Sequence, residues 1–346
     1  MLSPLPSASR APPRAPYSYR DEVCRARPLL GTVVEIRAAS SNAQPSLHAV
    51  VDAAFAAIER VQRLMSYHVP DSDLSVINRT AAGTEQRVDA ATYAVIESAL
   101  RIAALSEGAF DPCVGERLER WGYLPASAAT ADARREFAGR WQDVELLGQC
   151  RVRFSRPLLL DLGGIAKGYA VDRAVQTLQA AGVEEICVNA GGDLRVAGAR
   201  ARTIRLRHPL APDLSAATLT LQDSALATSA AYYSRRRLPF GEVSALLDPR
   251  SSRPYVDGGC VSVRAADCMS ADALTKVVLF AAPQLAERTL AACGAQAFVQ
   301  SPAVDPARPE AAGVTAGASP RSGTQNARQI IANSARGNAA PGILNR

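Results

Sequence analysis

Lysine is almost absent from this chain. Its 346 residues include 39 Lys and Arg together, and only Lys167 and Lys276 are lysines. That ratio reads first as a coding bias toward arginine, and it makes the two exceptions worth locating. Histidine is also scarce, with three residues (His48, His68, His208), which excludes a histidine-rich metal site. The seven cysteines include no Cys-x-x-Cys pair and no neighbouring His; odd in number and scattered, they argue for reduced thiols rather than a disulfide framework or a zinc site. No apolar run approaches the roughly 18 residues that cross a bilayer. The first thirty residues, rich in Pro, Arg and Ser, lack the apolar core of a signal peptide, so a cytoplasmic protein without a membrane span is expected.

Excess charge is missing from the body of the chain as well. Residues 1–27 hold five Arg against Asp21 and Glu22, and residues 301–346 hold five Arg against Asp305 and Glu310, so the two ends carry the whole net charge of +6. Residues 28–300 are neutral overall, and a nucleic-acid-binding surface is not implied. Apolar content of 48% and charged content of 21% suit a globular protein, and 28–300 is long enough for one large domain or two closely packed ones. The segments 1–27 and 301–346, of low periodicity, are expected to be disordered.

Between those ends, GTVVEIR (31–37) predicts a strand and 46–66 an amphipathic helix, with apolar residues three and four apart. A second helix is expected over 89–106, then a long loop from Gly108 to Tyr123 of the kind that lines sites. The pattern continues as a strand (151–161), two glycines and a helix (165–181). Short strands follow near 184–189, 193–197, 203–207, 216–222 and 243–247, then a strand (259–265) leading into a helix from Ser270 to Ala282. Strands in succession favour antiparallel pairing, so the fold is read as α+β, with largely antiparallel sheets flanked by helices.

Three clusters carry chemistry. In LLLDLGGIAKGYAVDRAVQTLQAAG (158–182) a strand ends at Asp161 and Gly163-Gly164 precede a helix. The glycines allow close approach of a ligand, the helix start suits a phosphate, and Lys167 adds positive charge where helix stability alone would disfavour it. An ordinary turn capped by Asp161 is the other reading. In CMSADALTKVV (268–278) Asp272 and Lys276 share a helix face, as a surface ion pair or as part of a site. In GAFDPCVGERLERWGY (108–123) Phe110, Trp121 and Tyr123 could stack a planar ring or simply form core, with Asp111 as a hydrogen-bond acceptor or a cap. The Arg235-Arg236-Arg237 run reads as a solvated face, and His68 has no partner in sequence.

Taken in order, these stretches, with LLGTVVEI (29–36), MSYHVPDSDLSVIN (65–78), VNAGGDLRVAG (188–198), ALATSAAYYSR (225–235) and LLDPRSSRPY (246–255), resemble the ApbE-type FAD:protein FMN transferases over residues 28–300. The resemblance implies an enzyme that binds FAD and, with Mg²⁺, transfers FMN to a threonine hydroxyl of an acceptor flavoprotein, releasing AMP. It implies flavin-nucleotide contacts at Tyr67, Ala109, Phe110, Asp111, Asp161, Gly163, Gly164, Lys167 and Leu246. The metal would be held by Gly164, Asp272 and Thr275, with Asp272 and Lys276 in the catalytic group. Many members are exported and lipid-anchored through a cysteine, whereas the polar residues before Cys24 imply an unlipidated protein.

The sequence departs from the family pattern in three places. A threonine expected four residues after Asp272 is Lys276, with Thr275 one place earlier and about 100° around the helix. Its ammonium should neutralise Asp272 or stand in for part of the metal's charge, weakening Mg²⁺ either way. The Ser-His-x-x-Asp-Pro motif reads Ser244-Ala245-Leu246-Leu247-Asp248-Pro249, without its imidazole. The closing strands are expected to be cut short near Gln300. These departures keep open two alternatives, an FAD-binding module without transfer and an FAD pyrophosphatase.

Overall fold

The computed structural model describes residues 21–41, 46–126, 137, 139–211 and 213–300, with the backbone of 328–330. An antiparallel sheet of eight strands forms its centre. In spatial order the strands are Asp21–Leu29, Thr32–Ser40, Glu185–Ala190, Asp193–Ala197, Ser224–Ala230, Cys260–Ala265, Gln296–Gln300 and Arg328–Ile330. The helices among the described residues are α1 (Leu47–Met65), α2 (Asp73–Thr80), α3 (Ala90–Leu105), α4 (Gly115–Arg120), α5 (Ala166–Ala180), α6 (Cys268–Phe280) and α7 (Pro283–Ala292). None is long and apolar enough to cross a membrane. The expected α+β class with antiparallel sheets is the observed one.

Period-two alternation sorts the sheet's faces. Ile186, Val188, Ala190, Ala225, Ala227, Val261 and Val263 join the large core beneath the helices. Cys187, Leu194, Val196, Leu226 and Phe298 point the other way, under a hairpin of Arg202–Arg207 and Ser215–Leu221 that contributes Leu206 and Leu221. On the helical side α1 buries Val50, Val51, Ala54, Phe55, Ile58 and Val61, each Val, Ile or Phe contributing about 1.5–3 kcal/mol when fully buried. The spacing that predicted this helix is the spacing of its buried face.

Several elements differ from expectation. The N-terminal segment is not disordered up to residue 27: Asp21–Leu29 pairs along its length with Thr32–Ser40. Only Val23 of this edge strand is buried within 21–27, so its composition resembles that of a solvated tail. What holds it is tertiary: Arg25 and Arg27 both pair with Asp52 of α1, and the Arg27 guanidinium lies 4.5 Å from the centre of the Phe55 ring. Ser224–Ala230 (SALATSA) has Thr228 as its single β-branched residue and is mostly Ala and Ser, yet it is a central strand, bonded on both sides. Small residues suit it because both faces are covered. Past α6 come α7 and a closing strand, Gln296–Gln300, which ends where expected; from the tail beyond it the three residues Arg328–Ile330 pair with that strand, and the rest of the tail lies outside the described residues.

The strand expected over 151–161 ends at Phe154. Beyond it Leu158–Leu160 are buried without a neighbouring strand, and the Asn78 side chain takes that neighbour's place. It accepts from the Leu160 N–H at 2.8 Å and donates to the Leu160 carbonyl at 2.9 Å. On the other side Gly115 N–H donates to Leu159 and Asp161 N–H donates to Pro112, so the segment is clamped just before the two glycines. Asn78→Ala leaves two buried main-chain groups unpaired, at about 1–3 kcal/mol each. We expect a lower denaturant midpoint with an unchanged slope; an unchanged midpoint would show that the clamp carries no stability.

Candidate functional site

Helices α5 and α6 cross at closest approach at Gly168. A Cβ there would lie 2.2 Å from the Cys268 carbonyl oxygen, so only glycine admits the contact. One turn on, the buried Asp172 carboxylate accepts the N–H groups of Cys268 and Met269, both at 2.9 Å, and also the Arg195 guanidinium at 2.7 Å. A side chain of α5 thus caps the start of α6, beside the N-cap Asp267. This double cap sets Lys167, in the first turn of α5, opposite Asp272 of α6.

Asp272 is 1% exposed, and both its oxygens are occupied. Oδ1 accepts the Lys276 ammonium, and Oδ2 accepts the Gly168 N–H at 3.4 Å with the Lys167 ammonium 4.0 Å away. Lys276 also donates to the Asp272 carbonyl at 3.0 Å. Lys167 makes its close ion pair with Asp193. That residue enters the site because Gly191-Gly192 form a two-residue hairpin turn at positive φ, which makes Asp193 the first residue of the returning strand. Above this cluster lies Gly164: a Cβ on it would meet Lys276 Cε at 3.4 Å and Phe110 Cε2 at 3.5 Å. The two lysines of the chain, the glycine turn, Phe110 and two buried carboxylates therefore meet at one point.

The carboxyls of the site are driven apart electrostatically. Burial alone would raise Asp272, but the ammonium groups of Lys167 and Lys276 outweigh it and hold the group below the usual carboxylate range. Burial raises Asp161, and Asp272 adds to the rise, against the Gly163 N–H and the charges of Lys276 and His68. Burial and Asp272 likewise raise Asp193. Burial works against the charge on Lys167, yet Asp193 and Asp272 raise its affinity for the proton and keep it an ammonium.

The remaining expected residues divide between this point and its supports. Asp161 caps the turn rather than α5, accepting the Gly163 N–H at 3.2 Å; α5 itself has no side-chain cap. Asp111 is buried and committed to the N–H groups of Cys113 (2.8 Å) and Trp141 (3.3 Å), which makes it a loop brace. Ala109 is fully buried next to it. Tyr67 donates to Glu119 at 2.6 Å, and burial with that carboxylate pushes its phenol up; the nearby Asp161 adds to the rise. Leu246 is half-buried and its main chain is held by Ser244 and Tyr255. Trp121 packs with Leu118, Val243 and Leu247, and Tyr123 lies against them, so for those two rings the core reading holds. Arg236 is not merely solvated: it covers the Tyr123 ring and donates to the Gly122 carbonyl at 2.6 Å. Asp193 and Asp172 were not anticipated. An acidic residue directly after a Gly-Gly turn was the available signal for Asp193, whereas nothing local marks Asp172.

A divalent ion does not fit the expected donor set as the structure builds it. The Thr275 hydroxyl is fully buried, donating to the Asp272 carbonyl at 2.7 Å and paired with Ser229 at 2.6 Å. It points to the main-chain oxygen and away from use as a ligand beside the carboxylate. The Lys276 ammonium already occupies Asp272 Oδ1. Two unit charges of like sign about 4 Å apart cost on the order of 4 kcal/mol at an effective dielectric near 20, and a divalent ion doubles that. We assign no step to a metal.

Comparison with known proteins places this geometry. Residues 30–299 match the model of the ApbE family. The chain is 27% identical over 281 residues to the FAD:protein FMN transferase of Treponema pallidum, covering 73% of this chain and 77% of the relative. It is 30% identical to the FAD:protein FMN transferase of Vibrio cholerae over 231 residues, 63% of this chain and 69% of that one. Among solved structures, the ApbE protein of Thermotoga maritima superposes with a TM-score of 0.68 at 26% identity, over 81% of this chain and 94% of that one. The apo flavinyl transferase ApbE of Pseudomonas stutzeri shares the fold, with a TM-score of 0.69 at 23% identity, over 82% and 92% of the two chains. A match that spans the helix crossing, the Gly-Gly hairpin and the closing strand makes this chain a member of the ApbE family.

Proposed function

We propose that this protein is a FAD:protein FMN transferase. The observation that carries the reading is the meeting of both lysines with Gly163-Gly164 and Phe110 at the start of α5. Phosphoryl transfer asks for charge neutralisation and alignment more than for covalent help, and this point offers two ammonium groups, an uncapped helix start and a backbone free of side chains. A threonine hydroxyl of the acceptor protein attacks the phosphorus of the FMN half, the phosphoanhydride bond breaks, and AMP leaves. The hydroxyl proton must go to a base. With alanine at 245 no imidazole is available there, and Asp161, whose proton affinity burial and Asp272 increase, is the group in the pocket suited to take it.

The phosphates should carry much of the FAD affinity, so FAD should bind more tightly than FMN, and FMN more tightly than riboflavin. Removing Lys167 alone would strand the buried Asp193, so the informative variant is the double change Lys167→Met with Asp193→Asn. It should weaken FAD binding by about 1.5–3 kcal/mol, the range for hydrogen bonds to charged groups, and leave riboflavin unaffected in a fluorescence titration. Equal affinity for all three flavins in the unmodified protein would refute the phosphate assignment.

Asp161→Asn keeps an acceptor for the Gly163 N–H while removing the base. Transfer of FMN to a threonine-bearing acceptor peptide, followed by mass spectrometry, should slow about 10²–10⁴-fold, with FAD affinity nearly preserved. In the unmodified protein the same assay separates the readings. A peptide gaining the mass of FMN supports transfer. FMN and AMP released without modified peptide would make the protein an FAD pyrophosphatase and intact FAD a binding module, the two readings that Ala245 and Lys276 favour.

A further inference from the structure

We propose that Lys276, together with Lys167, serves as a built-in cation for the diphosphate of the bound dinucleotide, so that the protein holds this ligand without a divalent metal ion. The inference rests on the FAD reading and adds to it how the site is charged.

The argument begins with where the ammonium is fixed. Lys276 is anchored twice by one residue, through the Asp272 carboxylate and the Asp272 carbonyl, and its side chain is 14% exposed. A lysine on an open helix face would swing through solvent, whereas this one is held with its terminal carbon beside the Gly164 backbone, 3.4 Å from where a Cβ would stand. That is the place a ligand passing over the Gly163-Gly164 turn must approach. The Lys276 ammonium has three donors; Asp272 takes two, and the third is left for an oxygen of the ligand. Lys167 brings a second ammonium to the other carboxylate oxygen, with 37% of its side chain exposed. Two fixed ammonium groups thus meet the two buried carboxylates of Asp272 and Asp193, so the positive charge at this point is tethered to the chain where an oxygen-bound metal ion would otherwise supply it.

Residue choice points the same way. In a chain that uses arginine almost everywhere, both lysines stand at Asp272. A guanidinium is broad, planar and forked, whereas an ammonium is a compact point charge on a slender stem, and here Lys276 Cε and Phe110 Cε2 both stand within 3.5 Å of a Cβ position on Gly164. Thr275 is consistent with this division of roles, because its hydroxyl is spent inside α6 and on Ser229.

The test is equilibrium binding of FAD, FMN and riboflavin by flavin fluorescence to the full chain, in excess EDTA and in excess Mg²⁺, alongside Lys276→Thr. For the unmodified protein, FAD affinity should be the same in both conditions within the error of the titration. In EDTA, Lys276→Thr should bind FAD about ten- to a hundredfold more weakly, the equivalent of one charged hydrogen bond. Added Mg²⁺ should then restore part of the loss, since the Asp272 oxygen is released, while riboflavin affinity stays unchanged. FAD binding by the unmodified protein that requires Mg²⁺ overturns the inference and leaves the flavin reading standing; this arm needs no variant and does not depend on whether Lys276→Thr folds. An unchanged FAD affinity of Lys276→Thr in EDTA, with a native thermal transition, overturns it as well. No FAD binding in either condition overturns the flavin reading, and this inference with it.

Discussion

The buried carboxylate of Asp272 is the interaction on which the rest of the site depends. An isolated carboxylate at 1% exposure would cost several kcal/mol, and its stability in charged form comes from three partners on two helices: Lys276 on its own helix, Lys167 and the Gly168 N–H on α5. Each partner constrains a different part of the molecule. The Gly168 contact requires the helices to touch with no side chain between them, and the Lys167 contact brings in Asp193 from the sheet. Removing any one of these leaves a buried charge with fewer partners than its burial requires, so the cluster acts as a unit rather than as a sum of pairs.

The surrounding fold is arranged to deliver those partners to one point. The eight-stranded sheet gives two deliveries, the hairpin at Gly191-Gly192 that ends on Asp193 and the strand Cys260–Ala265 that leads into α6. The clamped segment Leu158–Leu160 gives the third, ending in Asp161 and the glycine turn before α5. The Asp172 cap then fixes the angle between the two helices from inside the core. The charged cluster therefore sits on two helices and a strand, while Gly164 and Phe110 come from connecting segments held by Asn78 and Asp111.

Much of this was legible in the sequence because its physical basis is local. The apolar spacing of α1 and α3, the helix after Gly163-Gly164, the four-residue spacing that faces Lys276 toward Asp272 and the order of the family's motifs are all properties of short stretches. The helix repeat alone puts residues four apart on one face, and the ion pair observed there follows from it. Resemblance over nearly the whole domain then added the flavin chemistry, which composition and periodicity do not contain.

Other features depended on contacts distant in sequence. The strand Asp21–Leu29 looks like a polar tail until Asp52 and Phe55 of α1 are placed beside it, and Ser224–Ala230 looks like a linker until strands cover both its sides. Asp111 also braces its loop by accepting the N–H groups of Cys113 and Trp141, the second thirty residues away, which no local pattern announces. Asp172 has no marker because its partners, Cys268 and Met269, lie nearly a hundred residues on. The sequence by itself determined the class of fold, the family and which helix faces carry charge, since helix and strand periods are set by the backbone. Only the tertiary structure decided which of those charges meet, because the energy of a buried ion pair depends on distance and desolvation, and neither exists until the chain has closed on itself.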